Sequence, residues 1–190
     1  MSHKKFDPSR AERLIASERY LELKPEIILQ KLGIGPGNTI LDLGCGNGFF
    51  TFPAAVAMGE GMVIAADLSE PMLSLLKKRN TPDNIQILQV EEVKMDIEDD
   101  SVDGAVLIAL YHEFKAPLDN LAEIKRTLKA EGRVLILDWD PLAEKERGPG
   151  REHRVSKDQA IADLETAGFS VDSHENYTQD MWMIVAHSTT

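Results

Sequence analysis

From residue 39 onward the chain alternates short, nearly unbroken apolar runs with amphipathic stretches. The runs TILDL (39–43), MVIAAD (62–67), IQILQV (85–90) and VDGAVLIAL (102–110) are strand-sized and rich in Val, Ile and Leu, the composition of strands buried on both faces. Between them the pattern predicts a helix from Gly48 to about Met58 and another from Glu70 to Arg79, with Ser69 in the N-cap position ahead of Glu70, Pro71 and Met72. Leu118, Leu121, Ile124 and Leu128 recur at helical spacing and predict a helix over 117–129 whose apolar face is core. A strand follows within LKAEGRVLILDWD, then a helix from Ser156 to Ala167 stopped by Gly168, then two strands, FSVDSHE and MWMIVAH. Ahead of residue 39 the pattern is helical from Pro8 to Leu32, with Pro25 opening a second helix that Gly33 and Gly35 end. Strand and helix in this succession predict an α/β fold, a doubly wound sheet with helices on both faces, in a single domain over 1–190.

The stretch 39–51, TILDLGCGNGFFT, stands out because a strand runs straight into a glycine turn. Gly44, Gly46 and Gly48 permit backbone angles that a side chain forbids and let a ligand approach the main chain closely. A dinucleotide fingerprint would need a small residue in the third position of G-x-G-x-x-G, and Phe49 stands there. Asp42, two residues before the first glycine, is placed to meet a cationic amine. Asp67 ends the next strand, 19 residues after Gly48, where a carboxylate can accept both hydroxyls of a ribose.

This motif resembles the glycine-rich first motif of class I S-adenosylmethionine-dependent methyltransferases, in particular the type 11 branch of small enzymes similar to the quinone-biosynthesis C-methyltransferases. The resemblance covers the chain from about residue 25 to its end. It implies a Rossmann-like, seven-stranded mixed sheet whose last strand is antiparallel, a helical cap over 1–35 that closes on the ligand, and a cofactor-binding core over 36–190. It implies S-adenosylmethionine as the cofactor, held by Asp42, Gly44, Cys45, Gly46, Asn47 and Gly48 along the loop and by Asp67 and Leu68 at the ribose, with S-adenosylhomocysteine as the product. The adenine amino group would be met just past the third strand by Glu91 or Glu92, with Val93 beside them. There the match is softer, since Met95, Asp96 and Ile97 replace the family's leucine-proline-phenylalanine run.

Ligands of doubly wound sheets sit outside the carboxyl ends of the strands, so Tyr111, His112, Glu113 and Phe114, following the fourth strand, are expected at the acceptor. His112, with Tyr111 beside it, is the candidate catalytic residue, because a histidine's ordinary pKa suits a proton acceptor near neutrality. The alternative is that both wall the pocket while transfer runs on positioning. The irregular stretch 140–157 carries Arg147, Arg151, Arg154 and His153, which would suit an anionic acceptor, and also Glu144, Glu146 and Glu152, which would balance them in a solvated loop.

A net charge of −11 counts against nonspecific binding to nucleic acid or anionic membranes and favours a small-molecule acceptor. The chain's one cysteine, Cys45, rules out an intramolecular disulfide and a multi-cysteine metal cluster, and no metal site is expected. With no apolar leader or membrane-length run, the protein is expected in the cytoplasm. Two other functions share these motifs: a non-catalytic S-adenosylmethionine-binding protein, and an NAD-binding oxidoreductase, which Phe49 and Asp42 disfavour.

Overall fold

The computed structural model describes residues 14–144 and 147–189. Its strands are β1 (Thr39–Leu43), β2 (Met62–Asp67), β3 (Ile85–Gln89), β4 (Val102–Ile108), β5 (Leu128–Trp139), β6 (Phe169–Asn176) and β7 (Met181–Ser188), and its helices are α1 (Ser17–Leu23), α2 (Pro25–Leu32), α3 (Thr51–Met58), α4 (Glu70–Lys77), α5 (Pro117–Thr127) and α6 (Lys157–Thr166). The helix start expected at Pro8 lies outside the described residues, as does Glu146.

The strands form one seven-stranded sheet in the order β3-β2-β1-β4-β5-β7-β6. β1 pairs in parallel with both β2 and β4, so the strand order reverses between β1 and β4. β7 is antiparallel to β5 on one side and β6 on the other, the mixed sheet with an antiparallel last strand that the motif resemblance implies.

Alternate residues of each strand enter two separate apolar layers, as the two-residue period of a strand demands. Ile40, Val63, Val106, Leu135 and Val185 pack with α1 to α4 through residues such as Ile28, Leu32, Ala54, Leu73 and Leu76. Leu41, Ile64, Leu107, Ile136 and Ile184 pack on the other face with Leu121 and Ile124 of α5 and Ala160 and Leu164 of α6. The central strands β1, β2, β4 and β7 are therefore covered on both faces, which is why they read as near-continuous apolar runs, whereas the edge strands β3 and β6 keep exposed polar positions.

Helix ends follow local chemistry. Pro25 sits in the first turn of α2 and Gly33, at φ 76°, closes it. The Ser156 hydroxyl accepts a hydrogen bond from the Gln159 N–H at 3.2 Å and caps α6. The Ser69 hydroxyl, by contrast, makes no capping bond at α4. Several boundaries differ from the pattern: α3 begins at Thr51 rather than Gly48, α4 ends at Lys77 rather than Arg79, β4 ends at Ile108 rather than residue 110, and α5 ends at Thr127 because Leu128 turns extended and pairs with Val102. Among the described residues no helix is long and apolar enough to cross a membrane.

Candidate functional site

A cavity of about 1370 Å³ opens over the carboxyl ends of the parallel strands, at the point where strand order reverses. Its floor is the glycine loop. Gly44, Gly46 and Gly48 take φ of 72°, 55° and 93°, so the turn follows the left-handed path that glycine alone adopts without strain. The loop is held from within: the Gly44 and Cys45 N–H groups donate to the Ala66 carbonyl at 2.8 and 3.1 Å, and Gly48 N–H donates to the Cys45 carbonyl at 3.0 Å. The fourth tie is to Asp67. Its Oδ2 accepts from the Gly46 N–H and its Oδ1 from the Ser69 N–H, each at 2.8 Å, so one carboxylate joins the glycine loop to the start of α4. Burial raises the Asp67 pKa, against the pull of those N–H groups.

Asp42 lies beneath this loop, 2% exposed, and accepts a hydrogen bond from the Thr51 hydroxyl at 2.6 Å. Burial pushes its carboxyl up to about 7; the Thr51 bond opposes the rise, the charge of Asp67 adds to it, and Arg19 opposes it. Burial likewise drives the Cys45 thiol well above its ordinary range, with Asp42 and Asp67 adding to the effect, so Cys45 is a thiol rather than a nucleophile at neutral pH.

Asp42, Gly44, Cys45, Gly46, Asp67, Leu68, Glu91, Glu92, Val93 and His112 all line the cavity, whereas Asn47, Gly48 and Tyr111 do not. Glu92 pairs with Lys115 at 2.5 Å across the rim. The Asn47 carbonyl accepts from Arg79 at 2.8 Å, a bond that pins the loop from behind.

The fourth strand ends in a backbone reversal. Ala109, at φ 55°, donates its N–H to the Leu137 carbonyl at 2.8 Å, and Tyr111–Glu113 follow as one 3-10 turn. That turn separates two neighbours the sequence grouped. Tyr111 swings into the core, 1% exposed, and its hydroxyl donates to Asp163 at 2.7 Å; burial, reinforced by Asp163, raises its pKa and keeps it a phenol. His112 stays at the cavity, its ring Nδ1 2.8 Å from Asp138 Oδ1 and its backbone N–H donating to Asp138 Oδ2 at 3.1 Å. Burial alone would lower the His112 pKa, but the hydrogen bond and charge of Asp138, with the charge of Glu113, outweigh it and raise the pKa, against a small opposing effect of Arg154. Asp138 was legible beforehand only as the end of an apolar strand, the place that Asp42 and Asp67 also occupy in theirs.

Two elements roof the cavity. From the N-terminal side come Leu14, Ala16, Glu18, Arg19, Glu22 and Leu23, with the Arg19 guanidinium 4.3 Å from the centre of the Phe49 ring. Burial lowers the Arg19 pKa to about 10, leaving it cationic. From the stretch after β5 comes Arg147, which pairs with Glu22 at 2.6 Å and Asp180 at 3.3 Å and so joins the two roofing elements. The other arginines of that stretch are not at the cavity. Arg154, 9% exposed, donates to the carbonyls of Pro149, Asp140 and Arg147, clasping the loop, and Arg151 donates to the Glu144 carbonyl on the surface. An anion-binding role expected of Arg151 and Arg154 therefore has no footing in this geometry; His153 does reach the cavity.

A methyltransferase domain family matches residues 41–136. Among curated proteins, the chain is 33% identical over 104 residues to a demethylmenaquinone methyltransferase of Clavibacter sepedonicus, covering 54% of this chain and 42% of that protein. It is 34% identical over 114 residues to the demethylmenaquinone methyltransferase of Lactococcus lactis subsp. lactis, covering 58% and 45%. In both cases it spans less than half of the relative's length. Among solved structures, a SAM-dependent methyltransferase from Aquifex aeolicus superposes with a TM-score of 0.92 at 31% identity, over 97% of this chain and 100% of that one.

Proposed function

Since the chain belongs to the class I S-adenosylmethionine-dependent methyltransferases, we propose that it transfers a methyl group from S-adenosylmethionine to a small-molecule acceptor, both bound in the cavity over the strand ends. The observation that carries this reading is the arrangement of the glycine loop between two carboxylates, Asp42 buried and Asp67 half-buried. Gly44, Cys45, Gly46 and Gly48 all use their N–H groups inside the protein. A dinucleotide's pyrophosphate would thus meet Asp42 and Asp67 instead of a cradle of free donors. A cationic ligand finds the reverse: carboxylates suited to an amine and to ribose hydroxyls, and a glycine turn it can approach closely.

In this reading Asp42 faces the cationic amino acid end, Gly44 to Gly46 form the seat, Asp67 with Leu68 takes the ribose, and Glu91, Glu92 and Val93 flank the adenine. Bound there, S-adenosylmethionine supplies an electrophilic methyl group on a sulfonium. His112 is the general base at the acceptor, and the roofing helices before residue 36 act as the lid that excludes water. The curated relatives' names point to a quinone-type acceptor, to which an aromatic and apolar wall of Phe49, Phe114, Trp139 and Met181 is suited.

Titration with S-adenosylmethionine, S-adenosylhomocysteine and NAD, followed by incubation with methyl-labelled cofactor and a metabolite extract, tests the proposal. Binding of NAD but neither sulfur nucleoside would overturn it, and binding without label transfer to any acceptor would leave a sensor. Asp67→Ala should weaken cofactor binding by about 1.5 to 3 kcal/mol, the range for hydrogen bonds to a charged group. Unchanged affinity of a folded Asp67→Ala variant by calorimetry would remove Asp67 from the ribose.

Asp42 makes cofactor binding pH-dependent. A cationic ligand favours the carboxylate, so below pH 7 binding must drive off the proton that burial retains. Affinity should climb by up to about tenfold per pH unit between pH 5.5 and 7 and then level, with a proton released at the low end. In the free protein the same raised pKa favours the fold at low pH, a contribution lost as pH rises from the ordinary carboxylate range through about 7. Calorimetry at pH 5.5 in two buffers of different ionisation enthalpy reads the proton directly. Equal affinity at pH 5.5 and 7.5 would show that Asp42 does not face the charge, and Asp42→Asn should flatten the profile.

A further inference from the structure

We infer that Asp138 is a positioning residue: from the end of β5 it holds the His112 ring with Nδ1–H turned inward and Nε2 presented as a proton acceptor, so that the protein methylates acceptors whose nucleophilic atom must shed a proton. The inference rests on the methyl-transfer reading and narrows its substrate class to phenols, enols, other carbon acids and protonated amines.

The geometry is that of a buried carboxylate to which everything donates. Asp138 is 1% exposed. Its Oδ1 lies 2.8 Å from His112 Nδ1 and accepts from the Trp139 N–H at 2.7 Å, while its Oδ2 accepts from the His112 N–H at 3.1 Å. A carboxylate in these contacts only accepts, so Nδ1 must be the donor and the neutral ring keeps its lone pair on Nε2. The two bonds to one residue, ring and backbone, fix the rotation of the side chain and the position of the turn that carries it. Nε2 lies 3.9 Å from Glu113 Oε1, and His112 lines the cavity. The charged groups around the ring are Asp138 from β5, Glu113 from its own turn and Arg154 from the loop beyond β5.

In the step this implies, the proton of the acceptor's X–H bond moves to His112 Nε2 and the electron pair left on X forms the bond to the methyl carbon. The carbon–sulfur pair returns to sulfur as a neutral thioether, and the imidazolium, stabilised by Asp138, later gives its proton to water. An acceptor without such a proton, a thioether or a tertiary amine, gains nothing from the pair.

Nitrogen-15 NMR of the histidine rings, with the His112 signal assigned by its absence in His112→Asn, should show neutral His112 protonated on Nδ1. Asp138→Asn should shift the ring toward the other tautomer, move the inflection of the pH–rate profile to lower pH, and reduce turnover on an acidic acceptor by about a hundredfold or more, while cofactor affinity holds. Turnover on a proton-free acceptor, where one is found, should be the same in both proteins. An Nε2–H tautomer in the wild type overturns the inference, and that spectrum decides even if Asp138→Asn does not fold. A uniform fall in rate at every pH, with no moved inflection, also overturns it. Cofactor binding with the Nδ1–H tautomer but no transfer to any acceptor would instead sink the methyl-transfer reading and leave the orientation of the ring standing.

Discussion

Replacing Gly46 by valine should abolish binding of S-adenosylmethionine while the protein stays folded. Gly46 sits at φ 55°, where a side chain costs about 1 to 2 kcal/mol and a β-branched one more. A Cβ there would come within 3.3 Å of the Leu14 side chain and 3.7 Å of the Met72 methyl, a tight but yielding environment of side-chain atoms. The strain is therefore tolerable for the fold. It is not tolerable for a ligand, because the two methyl groups of valine extend into the space between the loop, Leu14 and Met72, all of which line the cavity. The tie from Gly46 N–H to Asp67 makes the damage double: a shift of the turn misplaces the carboxylate assigned to the ribose. Affinity should fall by about a hundredfold or more, with Gly46→Ala intermediate, since a clash in a packed seat removes contact and adds strain together. Circular dichroism and a melting curve establish the fold, and calorimetry the binding. Normal binding by a folded Gly46→Val variant would mean that the loop is not the cofactor seat.

His112→Asn is expected to lower turnover by about a hundredfold or more, within the range for loss of a general base, with cofactor affinity little changed. Asparagine retains the backbone N–H that meets Asp138, so the turn after Ala109 keeps its anchor while the proton acceptor is lost. The raised pKa of His112 sets the pH at which this matters: the ring must be neutral to act, so wild-type turnover should rise with pH past the ordinary histidine range and then level. The variant should lose that inflection. If both turnover and acceptor binding fall only modestly together, His112 is a wall of the pocket. Full turnover would leave methyl transfer by positioning alone.

Much of the fold was legible because it is written in local periods. Strands covered on both faces must be apolar nearly throughout, so β1, β2 and β4 announce themselves, and Pro25, Gly33 and Ser156 mark helix ends by their own chemistry. The glycine loop and Asp67 were legible for a related reason, since their spacing along the chain is set by one strand, one turn and the next strand. The end of α5 falls where a distant partner wins. Leu128 continues a helical apolar pattern, yet it is drawn into the sheet by Val102.

What the sequence by itself determined, then, is the α/β class, the order of strands and helices along the chain, and the glycine loop with its two flanking acids. Which strand lies beside which, and hence the insertion of β7 between β5 and β6, depends on pairings between residues far apart in sequence. The same is true of the site's finer chemistry. The 3-10 turn after Ala109 sets Tyr111 against Asp163 and His112 at the cavity, and the pairing of β4 with β5 brings Asp138 to the imidazole. Arg154 looks in sequence like a free cation and is in fact bound to backbone carbonyls, because the irregular loop around it has no ladder of its own to take up its polar groups. Local pattern carries periodicity and turn chemistry; the directions of side chains across a tertiary gap are decided by packing, and there the charges of this site acquire their partners.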